Sequence, residues 1–225
     1  MMRRQIRVDK DLHVGKFRFD REFSLLNAEL FLKNLLSSQA VQQAYKPLGS
    51  FGPCNSLNFS QVKCCVTSMA WFDFFEQWGI VNEHTGQIKG CLDEYKVGIQ
   101  ICDKLRRGFL NEDDENFFGM REKESEFIFC LFKYLAIGGS MSQYDMAVSE
   151  YLDQTKTLYK DLVSVERDPE TKEFTCQSVV FRIREAKGNY TVTSEDENPQ
   201  NFTYVLVDPA RWHVTLLSNK WAAKW

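Results

Sequence analysis

Phe202-Thr-Tyr-Val-Leu-Val-Asp-Pro-Ala-Arg-Trp-His-Val-Thr-Leu-Leu217 places two apolar, β-branched runs on either side of an Asp-Pro turn, the pattern of two adjacent antiparallel strands. Phe202, Tyr204 and Leu206 fall on one face of a strand and Val205 and Val207 on the other, so strand 202–207 is expected inside a sheet covered on both sides. A turn at 208–211 and a strand over 212–217 complete the meander. Immediately upstream, the polar stretch 186–200 reads as a surface loop. Before it, Leu162-Val-Ser-Val165 and the segment 173–184 read as a hairpin, with Pro169 presetting the turn and Asp168 capping it.

Upstream of Asp161 the period becomes helical. Ala28, Phe31, Leu32 and Leu35 follow helical spacing within 24–45, and Trp71, Phe74, Phe75 and Trp78 share one face of a helix that starts at Thr67 or Ser68 and stops at Gly79. Residues 122–137 carry Phe127, Ile128, Leu131, Tyr134 and Leu135 on one stripe and Phe129, Phe132 and Ala136 on another. A helix apolar nearly all round is buried centrally or serves a partner. Gly138-Gly139 ends it, and Ser142, three residues before Asp145, is placed to cap a further helix bearing Tyr144, Val148, Tyr151, Leu152 and Leu158. Shorter elements are expected as strands at 16–20 and 61–67, loops at 49–58 and 80–98 (the latter a loop or weak hairpin), and a helix at 99–107. With no internal repeat and no low-complexity linker, the fold class is α+β, with helices packed on a C-terminal antiparallel β-sheet. The expected organisation is a flexible tail at 1–12, a single domain at 13–217 and a C-terminal tail at 218–225.

The composition suits such a domain. In 225 residues, 28 basic side chains oppose 31 acidic ones, 44% of residues are hydrophobic and 14% aromatic, which excludes a disordered, collagen-like or disulfide-stapled chain. A net charge of −3 supplies no broad positive field for nucleic acid or anionic membrane. The basic cluster Arg3, Arg4, Arg7 and Lys10 lies in the N-terminal tail. The first residues lack the apolar run of a secretory leader, and the longest apolar block, 127–132, is too short to span a bilayer, so a reducing cytosolic setting is expected. The sequons at Asn58, Asn189 and Asn201 then read as chance.

The sequence holds few residues in arrangements that carry chemistry. Seven cysteines include no CxxC pair. Cys54, Cys64, Cys65, Cys91 and His84 stand at spacings without metal-ligand precedent, so they read as buried thiols and a scattered imidazole rather than a zinc site. Cys54, in Phe51-Gly-Pro-Cys-Asn55, lacks the helix start or elbow that frames a nucleophile. His213, near Asp208, reads as a sheet-surface residue; His13 and His84 complete the histidines. There is no phosphate-binding glycine loop, and the acidic run 112–115 reads as a solvated surface. The expectation is therefore a protein that is no enzyme, with no catalytic, metal or cofactor-binding residue and no cofactor. What stands out is aromatic surplus: Trp71, Phe72, Phe74, Phe75, Phe127, Phe129 and Phe132 form either core or a partner surface. Trp221 and Trp225, near the end, should fold back or meet something.

Taken in order, Cys91-Leu-Asp93, Lys104-Leu-Arg-Arg107, Glu126-Phe-Ile-Phe-Cys-Leu-Phe-Lys133, Gly138-Gly139, Gln143-Tyr144, Tyr151-Leu152, Thr155-Lys156 and Tyr159-Lys-Asp-Leu-Val-Ser-Val165 resemble the cilia- and flagella-associated protein 300 family. Phe202, Tyr204, Val207-Asp-Pro209, Arg211 and the earlier Phe17-Arg-Phe-Asp20 with Phe23 continue the likeness, from about residue 13 to 217. The resemblance implies a non-enzymatic protein of cytoplasm and motile cilium, needed for assembly or transport of outer and inner dynein arms. Its implied partners are dynein arm subunits or cytoplasmic dynein assembly factors, with no nucleic acid and no membrane insertion. A stable component of the axoneme near the arms is the alternative within the same class, and a cryptic Cys/His metal protein or enzyme the alternative outside it.

Overall fold

Period-two alternation over Leu12–Arg18 forms the first strand, β1. The chain then runs through α1 (Ala28–Ser37), α2 (Gln39–Ala44), β2 (Ser56–Val62), a 3-10 turn (Met69–Phe72) and α3 (Phe74–Gln77). It continues through β3 (Gly90–Lys96), β4 (Ile99–Asp103), α4 (Lys104–Leu110), α5 (Phe118–Lys123), α6 (Phe127–Ile137) and α7 (Val148–Leu162), and ends with β5 (Val165–Arg167), β6 (Phe174–Cys176), β7 (Val179–Lys187), β8 (Phe202–Asp208) and β9 (His213–Asn219). The structure, a computed structural model, describes residues 12–44, 54–111, 118–138, 146–187 and 198–221. Packing groups the chain into two compact units: an aromatic unit over Cys64–Asp161, and a sheet unit that joins Lys10–Lys63 to Leu162–Trp225. The expectation of one domain over 13–217 rested on the absence of a linker, and the chain passes between the units at 63–64 and 161–162 without one.

In the sheet unit, five strands lie in the order β1-β9-β8-β7-β2, every neighbouring pair antiparallel. The architecture is α+β as expected, but the N-terminal β1 and β2 form both edges of a sheet whose centre alone is C-terminal. One face carries Phe181, Ile183, Val205, Val207, Val214 and Leu216, and packs on Ala28, Leu32 and Leu36 of α1 and Val41 of α2. Leu32 and Leu36 are fully buried, each stabilising the unit by about 1.5–3 kcal/mol. Every residue of β8 is buried, in keeping with its two apolar faces. The helix expected over 24–45 is interrupted at Ser38, whose extended backbone ends α1. Its hydroxyl donates to Leu35 O at 2.7 Å and accepts from Val41 N–H at 3.4 Å, closing one helix while opening the next. Strand β2 holds only the first two residues of the expected 61–67, ending at Val62; it begins five residues earlier because Leu57 and Phe59 pack on the sheet core, although Asn and Ser neighbours give the segment a loop-like composition. The return strand expected over 173–184 is split, with β6 pairing β5 and β7 joining the main sheet. Asp168 caps the intervening turn, accepting from Glu170 N–H at 2.7 Å and Thr171 N–H at 2.8 Å.

The aromatic unit is built around α6, all of whose residues except Lys133 are buried. Phe132 meets Phe72 and Phe75 at 5.0 Å each, and Phe129 meets Phe109 at 5.6 Å. Of the two readings of an all-apolar helix, the core reading holds, and the aromatic surplus of 71–75 and 127–132 is spent inside the unit rather than presented as a face. The helix expected over 67–78 is a 3-10 turn capped by Ser68 followed by one α-helical turn, and Gly79 at φ +63° ends it as expected. The segment expected as one helix over 122–137 divides into α5 and α6 at Glu124–Glu126. The cap expected at Ser142 and the acidic run 112–115 lie outside the described residues.

The helix expected over 99–107 is corrected. Ile99 and Ile101 are buried while Gln100 and Cys102 are half-buried, the two-residue period of a strand, and only after Asp103 caps Arg106 N–H at 2.8 Å does α4 begin. Strands β3 and β4 form a hairpin closed by Val97 at φ +51° and Gly98 at φ +77°. A turn with both central residues left-handed favours Asn-Gly, and a β-branched residue there is strained by about 1–2 kcal/mol. Val97→Asn is therefore expected to raise stability by about 1 kcal/mol, read as an upward shift of the urea midpoint.

Candidate functional site

The residues that sequence chemistry singled out have separate surroundings. The Cys54 amide N–H donates to Ser37 Oγ at 3.0 Å, and burial pushes its thiol pKa up against the opposing pull of Lys33, the wrong direction for a nucleophile. Cys64 is buried with its sulfur 3.3 Å from Tyr159 Oη. Cys65 is exposed, its amide N–H donating to Glu126 Oε2 at 3.2 Å. Burial also raises the thiol pKa of Cys91 and Cys102. His84 is exposed in the turn organised by Asn82. His213 stands opposite Asp208 in the β8–β9 register, but the Asp208 carboxylate accepts from Ser164 Oγ and from Arg211 N–H. Among the described residues no group of three or more His, Cys, Asp or Glu is arranged to hold a metal ion, and no helix is long and apolar enough to cross a membrane. The Asn201 side chain is buried and accepts from Trp221 N–H at 2.8 Å, which ties back the chain at Trp221. Trp225, Asn189 and the basic cluster Arg3, Arg4, Arg7 and Lys10 lie outside the described residues.

The sheet unit instead offers a groove of about 530 Å³ between the end of β1 and the outer side of α1 and α2. Phe17, Phe19, Leu30, Phe31 and Leu35 line it, with Arg18, Asp20, Arg21 and Glu22 of both charge signs among its walls. Rings fix its shape. Phe31 lies edge-on to Phe19 at 5.2 Å and to Phe23 at 5.1 Å, and Phe19 packs at 5.6 Å on Trp212, itself held at φ +56° in the β8–β9 turn. Leu30, in the groove lining, is 61% exposed, and Leu26, next in the chain to the lining residue Asn27, is 96% exposed. Leu26, in the 3-10 turn Leu25–Asn27 that precedes α1, and Leu30, in α1, are costly to leave in water, and a concave, apolar, ring-braced surface with a polar rim can seat apolar side chains of a protein segment. Neither Leu26 nor Leu30 belongs to the buried stripe of α1, formed by Ala28, Leu32 and Leu36. The available signal was that both are apolar and fall off that stripe.

Two polar clusters hold the segments on which the family likeness rests. In the aromatic unit the fully buried Arg106 pairs with Asp103 and donates from Nη2 to Tyr151 Oη at 2.7 Å. In the sheet unit Ser164 Oγ donates to the Asp208 carboxylate and accepts from Arg211 Nη1 at 3.2 Å. Stretches far apart in sequence are thus joined by side chains. The sequence pattern of cilia- and flagella-associated protein 300 matches residues 4–219. The chain belongs to that family. The Paramecium tetraurelia cilia- and flagella-associated protein 300 is 31% identical over 217 residues, covering 95% of this chain and 84% of the relative. The Chlamydomonas reinhardtii protein of the same name is 27% identical over 227 aligned positions, covering 96% and 88%. No solved structure matches the chain.

Within this cilia- and flagella-associated family the matched stretches divide by what they do in the fold. Arg106, Tyr151, Ser164, Asp208 and Arg211 are framework, and Phe127–Phe132 are core. Phe17–Asp20 with Phe23 and Phe31 build the groove wall.

Proposed function

We propose that this protein is a non-enzymatic binding factor that holds dynein arm subunits, or the cytoplasmic factors that assemble them, during construction and delivery of outer and inner arms to the motile cilium. The observation that carries the reading is the ring-braced groove with Leu30 in its lining and Leu26 next in the chain to the lining residue Asn27, in a chain of a cilia- and flagella-associated family. Such a surface suits transient recognition, because its mixed-charge rim is wettable when empty while the leucines gain by burial, about 1.5–3 kcal/mol for each one fully covered. The surroundings of Cys54, Cys64, Cys65 and His84 support a role without catalysis.

Removal of the gene in a ciliated cell tests the reading. Both arm rows should be depleted in axonemal cross-sections, and the wild-type protein in control cells should partition to the soluble fraction after salt extraction. Normal docking of both rows in the deletion strain would overturn it. Retention in the doublet pellet would point instead to a permanent axonemal component.

A further inference from the structure

Among the described stretches that carry the family likeness, Cys91-Leu-Asp93 holds a large apolar residue that packing leaves in solvent. Leu92 is 89% exposed. It lies in β3, the outer strand of a two-stranded hairpin, where the register with β4 jumps between Gly90 and Glu94. A bulge of this kind re-aims side chains, and here it leaves a large apolar residue in solvent. Tyr95 is 74% and Val97 55% exposed on the same hairpin, so the strand is wet while its partner β4 buries Ile99 and Ile101. Among the described residues no strand pairs with the other edge of β3. That edge keeps outward-pointing N–H and C=O groups, which an extended segment can satisfy and a helix cannot.

The charges select the occupant. Asp93 and Glu94 are exposed, and the contact made by either side chain is a hydrogen bond to Asp93 from the Gln100 amide at 3.2 Å. Neither takes part in an ion pair among the described residues. A second copy of the chain, paired edge to edge about a two-fold axis centred on Asp93 and Glu94, would set these two carboxylates against their own counterparts, and like charges directly opposite are destabilising. An extended segment bearing Lys or Arg meets the same edge with complementary sign, while Leu92 and Tyr95 offer apolar contact to its intervening residues. We propose that the outer edge of β3 is a docking site for an extended, Lys/Arg-bearing segment of a protein partner. It deepens the binding-factor reading and rests on it, adding a surface of different chemistry from the groove.

Two blocked eight-residue peptides, one alternating Lys with Val and one alternating Glu with Val, are titrated into the full chain while backbone amide shifts are followed. The Lys peptide should bind, move the amides of Leu92–Lys96, and weaken at least about fivefold on D93K/E94K, as expected when an exposed ion pair is replaced by like-charge repulsion. The variant should gain affinity for the Glu peptide. Leu92→Ser should weaken the Lys peptide without touching the charges. Undiminished binding of the Lys peptide to D93K/E94K, shifts centred away from β3, or concentration-dependent self-association through the hairpin would each overturn the proposal. If D93K/E94K does not fold, D93N/E94Q serves, with loss of Lys-peptide binding expected and unchanged binding overturning it. The deletion strain separates the two claims: missing arms together with a peptide that ignores β3 sink this site and leave the binding-factor reading standing.

Discussion

Arg106→Met is expected to cost about 3–5 kcal/mol of stability, because it strands the Asp103 carboxylate that a fully buried guanidinium now neutralises. The Tyr151 hydroxyl loses the Arg106 donor at the same time. Since Asp103 also caps α4 through Arg106 N–H, the informative partner change is Asp103→Asn, which keeps a capping oxygen and removes the charge. The double variant R106M/D103N should recover a large part of the loss, and urea unfolding of wild type, both single variants and the double variant measures the coupling. A loss under about 1 kcal/mol for Arg106→Met, or a strictly additive cycle, would show that the ion pair does not organise this unit.

The second large effect belongs to α6. Phe132→Ala should destabilise by about 3–5 kcal/mol, the usual cost of truncating a fully buried phenylalanine, because Phe72, Phe75 and Phe109 cannot all collapse into the space it leaves. Leu92→Ser, at an 89% exposed position, should stay within about 0.5 kcal/mol of wild type. Comparing their urea midpoints distinguishes core from surface. Were α6 a partner face, the two variants would behave alike.

Both predictions depend on features legible to different degrees in the sequence. The strand pairs of 202–217 could be read because Val205 and Val207 alternate with Tyr204 and Leu206, and the short return needs an antiparallel neighbour. Asp168 and Gly79 were legible as cap and stop because each acts on its own local backbone. The 99–107 segment misled because Ile99, Ile101 and Leu105 can be fitted to either period, and the arbiter, Asp103 as a cap, looks like any other surface acid until the helix behind it is known. The break at Ser38 is likewise a single hydroxyl inside an otherwise continuous apolar stripe.

The site was harder. Arg106 reads as a solvated helix residue in Lys104-Leu-Arg-Arg107, and nothing local says that Tyr151, forty-five residues on, will close over it. The groove depends on Phe19, Phe31 and Trp212 meeting from three distant stretches. What could be read was residual, in leucines such as Leu26, Leu30 and Leu92 that fit no buried stripe.

Dynein arms counted in deletion cells that re-express the chain with Leu26→Glu and Leu30→Glu, at the protein level of a wild-type rescue, decide whether the protein acts through its groove. Both positions are exposed, so the variant should fold and accumulate while outer and inner arms remain depleted in cross-sections. Full restoration of both rows by the double variant would contradict a function exercised through this groove.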